Sequence, residues 1–321
     1  MRKTVSIAIA SFNRADDLAA TLAELMKLDP MPREIYVCLD GCTDHSRDML
    51  SRFPGVSVLE NEVSRGSVYS RDRLFRAVSG DWIVSLDDDS YPLQSDFITR
   101  LLDAADDHPE AGIICFKEIR LRGQDDRPYE SPSESKYVAS YPNCAGAIRR
   151  SLYGHGASYP TFFFHAYEEP DYCLQTYAAG YGVLFRPEIE ILHRYTKVGR
   201  NKLRFHHQHS RNELLSVIMR CPVPHLFWLA PYRVVRQAVH AAQQGASWLL
   251  REPQWWFEAL KLTPQAWKHR RPIAWRTYWQ WIRLARNPIQ ANRTKLSEHF
   301  RLVNVDEKIS DSLQYGEDGL E

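Results

Sequence analysis

Several features are absent from this sequence, and each absence excludes a class of protein. No uncharged apolar run reaches the length of about 20 residues that a transmembrane helix needs. No internal repeat and no low-complexity tract is present, so we expect no repeat architecture. The short apolar run near the N-terminus ends at Asn13-Arg14, too early for the apolar part of a signal peptide.

Cysteine provides no framework either. The six cysteines are scattered along the chain, and no two of them form a Cys-x-x-Cys pair or a spacing typical of disulfides. Free thiols are typical of a reducing compartment, because disulfides persist in oxidising ones. We therefore expect a cytoplasmic protein. Whether the protein attaches to the inner face of the cell membrane through its C-terminal region stays open.

The whole chain has almost no net charge, but its regions have charge excesses of opposite sign. The 41 Lys and Arg residues nearly balance the 40 Asp and Glu residues. Residues 200–301 nevertheless hold 18 of the basic and only 4 of the acidic residues, which leaves 23 basic and 36 acidic residues elsewhere. Eight of the nine tryptophans also lie between Trp228 and Trp281. This segregation predicts two regions with different partners.

Residues 1–200 have the pattern of one α/β domain. Apolar strands alternate with amphipathic helices, and the first strands are expected at 5–10, 35–39, 56–59, 82–86 and 112–116. Such alternation is typical of a parallel sheet covered by helices on both faces. Residues 120–142 are polar and predict a loop, while short strands at 183–185 and 189–192 are expected to complete the domain.

The strand predicted at 82–86 ends in three consecutive carboxylates, Asp87, Asp88 and Asp89. Three adjacent anions repel one another, so they are stable together only where a cation lies close by. Mg²⁺ and Mn²⁺ take oxygen ligands of this kind and keep positions open for phosphate oxygens. The open end of a central strand is also where α/β sheets bind ligands. The triplet therefore suggests a metal–diphosphate site, with an acidic turn as the alternative.

A second acidic cluster, Glu168-Glu169-Pro170-Asp171, begins a helix that is expected to end near Gly180. Pro170 suits the first turn of a helix, and acids there interact favourably with the positive end of the helix dipole. These acids are therefore either simple helix-start residues or catalytic groups. His193, after the last predicted strand, is open in the same way between a structural role and a ligand role.

Taken in order, these motifs resemble those of the family 2 glycosyltransferases, which are inverting enzymes of GT-A fold that use nucleotide-diphospho-sugars. The resemblance covers residues 4–195. The motifs are the strand and turn at 6–14, Leu39 to Asp44, Arg65-Gly66 with Ser70-Arg71-Asp72, Leu86 to Asp89, Glu168 to Asp171, Gly180-Tyr181 and His193. Each motif alone is weak, and their order makes the resemblance specific. It implies an α/β fold with a mixed, nucleotide-binding sheet flanked by helices, followed by a helical extension.

The resemblance also implies roles for individual residues. The residues expected to bind the nucleotide-sugar are Ala10, Phe12, Asn13, Arg14, Asp40, Gly66, Arg71, Asp87 and Asp88. Asp89 is expected to hold a divalent cation, Mn²⁺ or Mg²⁺, with His193 as a further contact of the metal or the diphosphate. A carboxylate of the second acidic cluster is expected to act as the general base that deprotonates the acceptor hydroxyl.

The sequence departs from the family pattern at three positions. Leu39 replaces the first Asp of the second-strand motif, and Asp72 replaces an Asn. Glu169 stands where the family has an Asp as base, which lengthens the side chain by one methylene. The assignment of the base therefore stays open between Glu169 and Asp171.

Residues 201–305 form a basic, Trp-rich region that is predicted to be helical. Its prolines predict several short helices rather than a few long ones. Basic side chains interleaved with Trp are typical of helices that lie in a membrane interface and attract anionic lipids. A helical cap packed on the first domain is an equally good interpretation. Residues 306–321 are acidic, and we expect a flexible tail.

The leading hypothesis is an inverting, metal-dependent glycosyltransferase that extends a surface polysaccharide or glycolipid. Its expected partners are a nucleotide-diphospho-sugar, a saccharide or lipid-linked saccharide acceptor and, as an open alternative, an anionic membrane surface. Nucleic acid is not expected, since no binding motif for RNA or DNA is present. A nucleotidyltransferase would need a Gly-rich, Lys-bearing phosphate loop near the N-terminus, which is missing. A non-catalytic nucleotide-sugar-binding or membrane scaffold protein remains the alternative from another class.

Overall fold

The computed structural model describes residues 3–120, 134–195, 201–291 and 300. The acidic tail expected at 306–321 and most of the loop expected at 120–142 lie outside these residues. The domain boundary expected at residue 200 adjoins another such segment, 196–200, and stays a prediction.

A mixed sheet forms the centre of the described chain. Its strands are β1 (Val5–Ser11), β2 (Glu34–Asp40), β3 (Val56–Asn61), β4 (Trp82–Asp87), β5 (Ser90–Pro92), β6 (Ala111–Arg120), β7 (Lys136–Tyr137), β8 (Gly146–Arg149), β9 (Gly182–His193) and β10 (Ile289–Gln290). The order across the sheet is β10-β7-β9-β6-β8-β4-β1-β2-β3, and β5 pairs with β9. The predicted α/β fold with a mixed sheet and a helical C-terminal region is confirmed.

The side of the sheet from β4 to β3 is parallel, as the alternating pattern predicts. Helices on the faces of the sheet return the chain after each strand, which makes parallel pairing possible. The helices of residues 1–200 are α1 (Ala15–Leu25), α2 (Ser46–Leu50), α3 (Ser67–Ala77), α4 (Phe97–Asp107) and α5 (Glu168–Ala178). In the register, Ala10 pairs with Asp87 and with Cys38, so the carboxyl ends of β1, β2 and β4 meet at one edge of the sheet.

The parallel pairing that the alternation of strands and helices predicts does not continue beyond β4. Strand β8 lies antiparallel between β4 and β6, and β7 and β10 add further antiparallel pairs. The two short strands expected at 183–185 and 189–192 are one strand, β9, that pairs in parallel with β6. Its register shifts between Arg186 and Glu190. Pro187 lies in this shift, where a residue without an N–H can be accommodated.

The C-terminal region consists of helices longer than the sequence predicts. They are α6 (Lys202–Arg220), α7 (Leu226–Gln244), α8 (Ala246–Leu249), α9 (Glu252–Lys268) and α10 (Trp275–Leu284). The prediction that prolines divide this region is wrong for Pro231 and Pro264, which lie inside α7 and α9. Both prolines are exposed, so water can bond the backbone carbonyl groups that they leave without a partner.

The C-terminal helices pack on the sheet domain and on one another. Helix α6 packs on α7 and α9, and α10 packs on α5. The indole N–H of Trp281 in α10 donates to the Ala139 carbonyl at 2.8 Å. At the α6–α9 contact, the buried Glu252 accepts from the Trp255 indole at 2.9 Å and contacts His206 Nε2 at 2.8 Å. Among the described helices, none combines the length and the apolar composition that crossing a membrane requires.

Candidate functional site

The three carboxylates at the end of β4 each face a basic side chain. Arg71, on α3, forms an ion pair with Asp87. Asp88 accepts from Ser11 Oγ at 2.8 Å, and one amino group of Arg14 lies 2.9 Å from both Asp88 and Asp89. Parallel pairing of β1 with β4 brings Ser11 and the turn after it beside the triplet. The repulsion expected from the sequence is therefore offset by cations of the protein itself.

The pKa values within the triplet diverge because the environments differ. Burial, together with the charge of Asp89, raises the pKa of Asp88 to about 7 even though Arg14 opposes the shift. Burial alone would also raise the pKa of Asp89, but the contact with His193 Nε2 at 3.2 Å and the charges of His193 and Arg14 lower it. Asp89 is thus an ionised carboxylate in a buried position, where it is a strong ligand for a cation.

Asp87, Asp89 and His193 form a donor set that suits a divalent cation. Their ligand atoms all lie within 4.8 Å of one another. Both Asp89 oxygens and His193 Nε2 are buried without a well-aligned hydrogen bond to any described residue, although Arg14 and His193 contact the carboxylate. Carboxylate oxygens with one imidazole nitrogen suit Mn²⁺, and the carboxylates also suit Mg²⁺. The residues present fit the expected cation.

Glu118 holds the His193 ring from the other side. Its carboxylate contacts His193 Nδ1 at 2.5 Å and accepts from Arg120 Nε at 2.6 Å. A carboxylate on the second nitrogen fixes the orientation of an imidazole ligand. Glu118, Cys144 and His193 also lie close enough to share a metal, but burial raises the pKa of the Cys144 thiol to about 12. A hard divalent cation prefers oxygen ligands to a thiol, so Asp87, Asp89 and His193, with two carboxylates, are the better set.

Asp40, at the end of β2, anchors the loop that leads into α3. Its two oxygens accept from Asn61 Nδ2 at 2.6 Å, from Ser64 Oγ at 2.7 Å, from Ser70 Oγ at 2.9 Å and from the N–H groups of Arg65 and Gly66 at 2.9 Å. These bonds lower the pKa of Asp40 although burial opposes the shift. The carboxylate shapes the loop beside the triplet, and a direct contact with the nucleoside stays a prediction.

Gly66 and Asn13 occupy turns that the site requires. Gly66 has φ +90°, and a Cβ there would lie 2.3 Å from the Phe164 carbonyl oxygen, so only glycine fits. Asn13, with φ 52°, accepts from the N–H of Thr43 at 2.7 Å and joins the turns after β1 and β2. Phe12 is 51% exposed at this rim, and Ala10 is half-buried above Asp87. The nucleotide-binding roles expected for these residues stay predictions.

The two candidates for the base have different surroundings. Asp171 is fully buried, forms an ion pair with Arg220 at 2.9 Å and accepts from Ser216 and Gln175, both at 2.7 Å. Glu169 is only partly buried. Burial and the charge of Glu168 raise the pKa of Glu169 to about 8, and Arg71 offsets this only in part. Glu169 therefore has a raised affinity for a proton, as a proton acceptor requires, whereas the charge of Asp171 is balanced by its ion pair.

Helix α6 supports the loop in front of Glu169, which the sequence did not reveal. Phe164, Ala166 and Tyr167 all have positive φ angles, a conformation that costs free energy for residues other than glycine. The buried amide of Asn212 donates to the carbonyls of His165 at 2.8 Å and Ala166 at 2.7 Å. A polar residue in a helix 43 positions after Glu169 carries no local signal for this role.

Comparisons with known proteins identify the family and the fold of the chain. The family model described as "Glycosyl transferase family 2" matches residues 6–172, just over half of the chain. No curated protein matches the chain. Residues 1–349 of S. aureus TarS are similar in structure, with a TM-score of 0.59 and 15% identity over 82% of this chain and 80% of that chain. A longer TarS chain gives a TM-score of 0.54 and 15% identity over 67% of this chain, which spans 40% of that chain.

A further structure is similar over most of its length. Mannosyltransferase PcManGT from Pyrobaculum calidifontis gives a TM-score of 0.55 and 16% identity over 84% of both chains. At such identities the structures establish a shared fold, and the family match adds the enzyme class. The GT-A sheet, the ordered motifs at its edge and the family match show that the chain belongs to glycosyl transferase family 2 and is a glycosyltransferase.

Proposed function

We propose that the protein transfers a sugar from a nucleotide-diphospho-sugar to an acceptor hydroxyl with inversion at the anomeric carbon. The observation that carries the proposal is the donor set of Asp87, Asp89 and His193 at the edge where β1, β2 and β4 end, and the pKa values of two carboxyl groups support it. The pKa of Asp89 is lowered and that of Glu169 is raised to about 8. Such a pair divides the work between a permanent anion and a proton acceptor.

The donor would bind at the edge where β1, β2 and β4 end. The structures of TarS 1–349 include complexes with UDP-GlcNAc and with UDP, and PcManGT was solved with GDP-Man and Mn²⁺. These ligands support a nucleoside diphosphate and Mn²⁺ for this chain. Asp87, Asp89 and His193 would hold the cation, which neutralises charge on the leaving diphosphate when bound.

Glu169 would act as the general base. Its carboxylate takes the proton of the acceptor hydroxyl while the hydroxyl oxygen forms a bond to the anomeric carbon. The bond from that carbon to the diphosphate oxygen breaks as the new bond forms, so a single displacement inverts the centre. A positioned base contributes on the order of 10²–10⁴-fold to the rate. Asp171 would instead fix the helix that carries Glu169, through its ion pair with Arg220.

Residues 201–305 would complete the enzyme in two ways. Asn212 and Arg220 of α6 hold the base-bearing segment, which supports the cap interpretation. Helices α7 and α9 also expose large apolar side chains, among them Phe227 at 74%, Phe257 at 65% and Leu260 at 68%. With basic residues nearby, these side chains support attachment to an anionic membrane surface from the cytoplasm. The acceptor would then be a growing surface polysaccharide or a glycolipid.

Donor turnover tests the proposal directly. Wild-type protein with Mn²⁺ is expected to hydrolyse or transfer the sugar of at least one donor in a panel of UDP-, GDP- and dTDP-sugars, and EDTA is expected to abolish this activity. Released nucleoside diphosphate is the readout. If donors bind in calorimetry but none turns over with any acceptor extract, the chain is a nucleotide-sugar-binding protein without catalysis. Vesicle sedimentation that is indifferent to anionic lipid would leave only the cap role for the C-terminal helices.

A further inference from the structure

A cavity of about 500 Å³ lies between α5 and the C-terminal helices. Tyr167 and Pro170, which flank the Glu168-Glu169 pair, form part of its wall. The rest comes mainly from α6, α7 and α10. The cavity thus adjoins the segment that carries Glu169, and it is made largely by the region that lies outside the match to the family model.

Aromatic side chains form much of the wall. Trp228 and Trp279 are about half exposed, at 48% and 43%, while Trp281 is held in place by its bond to Ala139. Indole rings present a flat apolar face together with a polar N–H, and such side chains suit ligands that are partly apolar and partly polar. The apolar face of a sugar ring is a ligand of this type.

The cavity also carries a net positive charge. Among the described residues, its wall includes Arg233, Arg236 and Arg286, and Glu213 is the only acid there. Glu213 pairs with Arg233 at 3.1 Å and accepts two hydrogen bonds from Arg236. Burial lowers the pKa of His209 in the same wall, so this ring is neutral. Three guanidinium groups against one carboxylate leave two positive charges without a countercharge in the wall.

The arginines of the wall suit an anionic ligand better than a neutral one. Guanidinium groups bind carboxylates and phosphates through paired hydrogen bonds, which a neutral sugar cannot match.

We propose that this cavity is the acceptor site and that it selects a saccharide bearing a phosphate or carboxylate group close to the reacting sugar. The tryptophans stack on the sugar, and the arginines bind the anionic group. The inference rests on the proposed transferase function and adds the chemical class of the acceptor. The anionic group belongs either to a soluble saccharide or to the headgroup of a lipid-linked one, and both present the same chemistry to the cavity.

Direct binding to the full chain tests the proposal. Methyl glucoside, methyl glucuronide, glucose 1-phosphate and inorganic phosphate are titrated in EDTA by isothermal titration calorimetry, on wild-type and Asp89→Ala protein. The two anionic sugars are expected to bind at least tenfold more tightly than methyl glucoside and also than inorganic phosphate. The same affinities in Asp89→Ala place the binding outside the metal site. If inorganic phosphate binds as tightly as glucose 1-phosphate, the claim that the cavity recognises a saccharide is overturned.

Paired variants locate the site. Arg286→Glu and Trp279→Ala are expected to lower the affinity for the anionic sugars at least tenfold. Arg286→Lys is expected to retain most of this affinity, because it keeps the positive charge. Arg276→Glu, an exposed arginine of α10 outside the cavity wall, is the matched control and leaves the affinity unchanged. Equal losses in Arg276→Glu and Arg286→Glu would overturn the proposal.

Two further measurements complete the test. Donor hydrolysis separates this inference from the proposed function, and transfer to presented or soluble acceptors distinguishes the two sources of acceptor. Donor hydrolysis without acceptor is measured in wild-type protein and in the control variant Arg276→Glu, in which it stays within twofold of the wild-type rate. Intact hydrolysis without binding of any anionic sugar refutes the acceptor site alone, while binding without turnover of any donor refutes the transferase function alone. A lipid-linked source predicts transfer to glycosyl phosphates only when they are presented in vesicles, and a soluble source predicts transfer in solution.

Discussion

The two acidic clusters of this protein have similar sequences but are neutralised differently. In the triplet after β4, every carboxylate contacts a basic side chain, Arg14, Arg71 or His193. In the cluster at the start of α5, Asp171 is paired with Arg220 and Glu168 accepts from Asn143 at 2.9 Å. Glu169 has no ion-pair partner among the described residues and has the raised pKa. Under the proposed mechanism, the partner that the fold supplies, rather than the type of acid, distinguishes the carboxylates that would bind the cation from the one that would act as base.

The sharpest test of this difference removes the charge of Glu169 alone. Glu169→Gln is expected to lower kcat by about 10²–10⁴-fold, because the amide cannot accept the proton of the acceptor hydroxyl. The KM for the donor should change little, since the donor contacts lie elsewhere. Steady-state kinetics with the active donor measures both values. Near-normal turnover in this variant would return the role of base to Asp171 or to another group.

Removing the carboxylate of Asp89, in the triplet, should impair donor binding, in contrast to Glu169→Gln, which should impair kcat. Asp89→Ala is expected to abolish the Mn²⁺ dependence of donor binding and to weaken donor affinity by about 10–100-fold, because metal ligands and their neighbours contribute on that scale. Calorimetric titration of the donor nucleoside diphosphate with and without Mn²⁺ is the measurement. Retention of the Mn²⁺ effect would place the cation at another site.

Asp171 should matter for stability rather than for proton transfer. Asp171→Ala leaves the buried Arg220 without its anion, and breaking a buried ion pair in this way costs about 3–5 kcal/mol. Urea denaturation of the variant is expected to show this loss. Asp171→Asn combined with Arg220→Met should recover much of the stability, since the isolated charge is gone. Asp96→Ala, in an exposed pair with Arg100, is the control and should be indistinguishable from wild type.

The pH profile gives the smallest but most specific effect. Because the pKa of Glu169 is raised to about 8, the carboxyl is mainly protonated below that pH and cannot act as a base. The rate of transfer should therefore rise about tenfold per pH unit up to about pH 8 and level off above it. The residual rate of Glu169→Gln should lack this rise. A wild-type profile that is already flat from pH 6 would contradict the raised pKa.

Local patterns predicted much of the fold and the position of the site. The strands up to β4 and the helices between them follow from apolar runs and amphipathic periodicity. The reversal of β8 did not follow, because residues 146–149 carry no signal for strand direction and pair with strands more than 30 residues distant. Helices α7 and α9 continue through Pro231 and Pro264, since tertiary packing and solvent outweigh the local cost of proline there.

The sequence predicted the acidic residues of the candidate site but not the side chains that contact them. Asp87, Asp88, Asp89 and Glu169 are visible as motifs, whereas the contacts of Arg14 with Asp88 and Asp89 depend on the register of β1 with β4. The choice between Glu169 and Asp171 depended on Arg220, 49 positions further along the chain. Only the folded chain identifies that partner, because any of the many arginines could have supplied the charge.

The contact of Gly66 with the 164–165 loop has a consequence for how the enzyme can change over evolutionary time. Gly66 touches the Phe164 carbonyl, the Val68 N–H donates to the same oxygen at 3.3 Å, and Ser67 Oγ lies 2.9 Å from His165 Nδ1. The turn before α3 and the loop before Glu169 therefore form one continuous seam. We expect a mutation on either side to displace the other, so that the proposed donor edge and the proposed base evolve together rather than as separate modules. The wall formed by α7 and α10 lies outside this seam and is free to diversify.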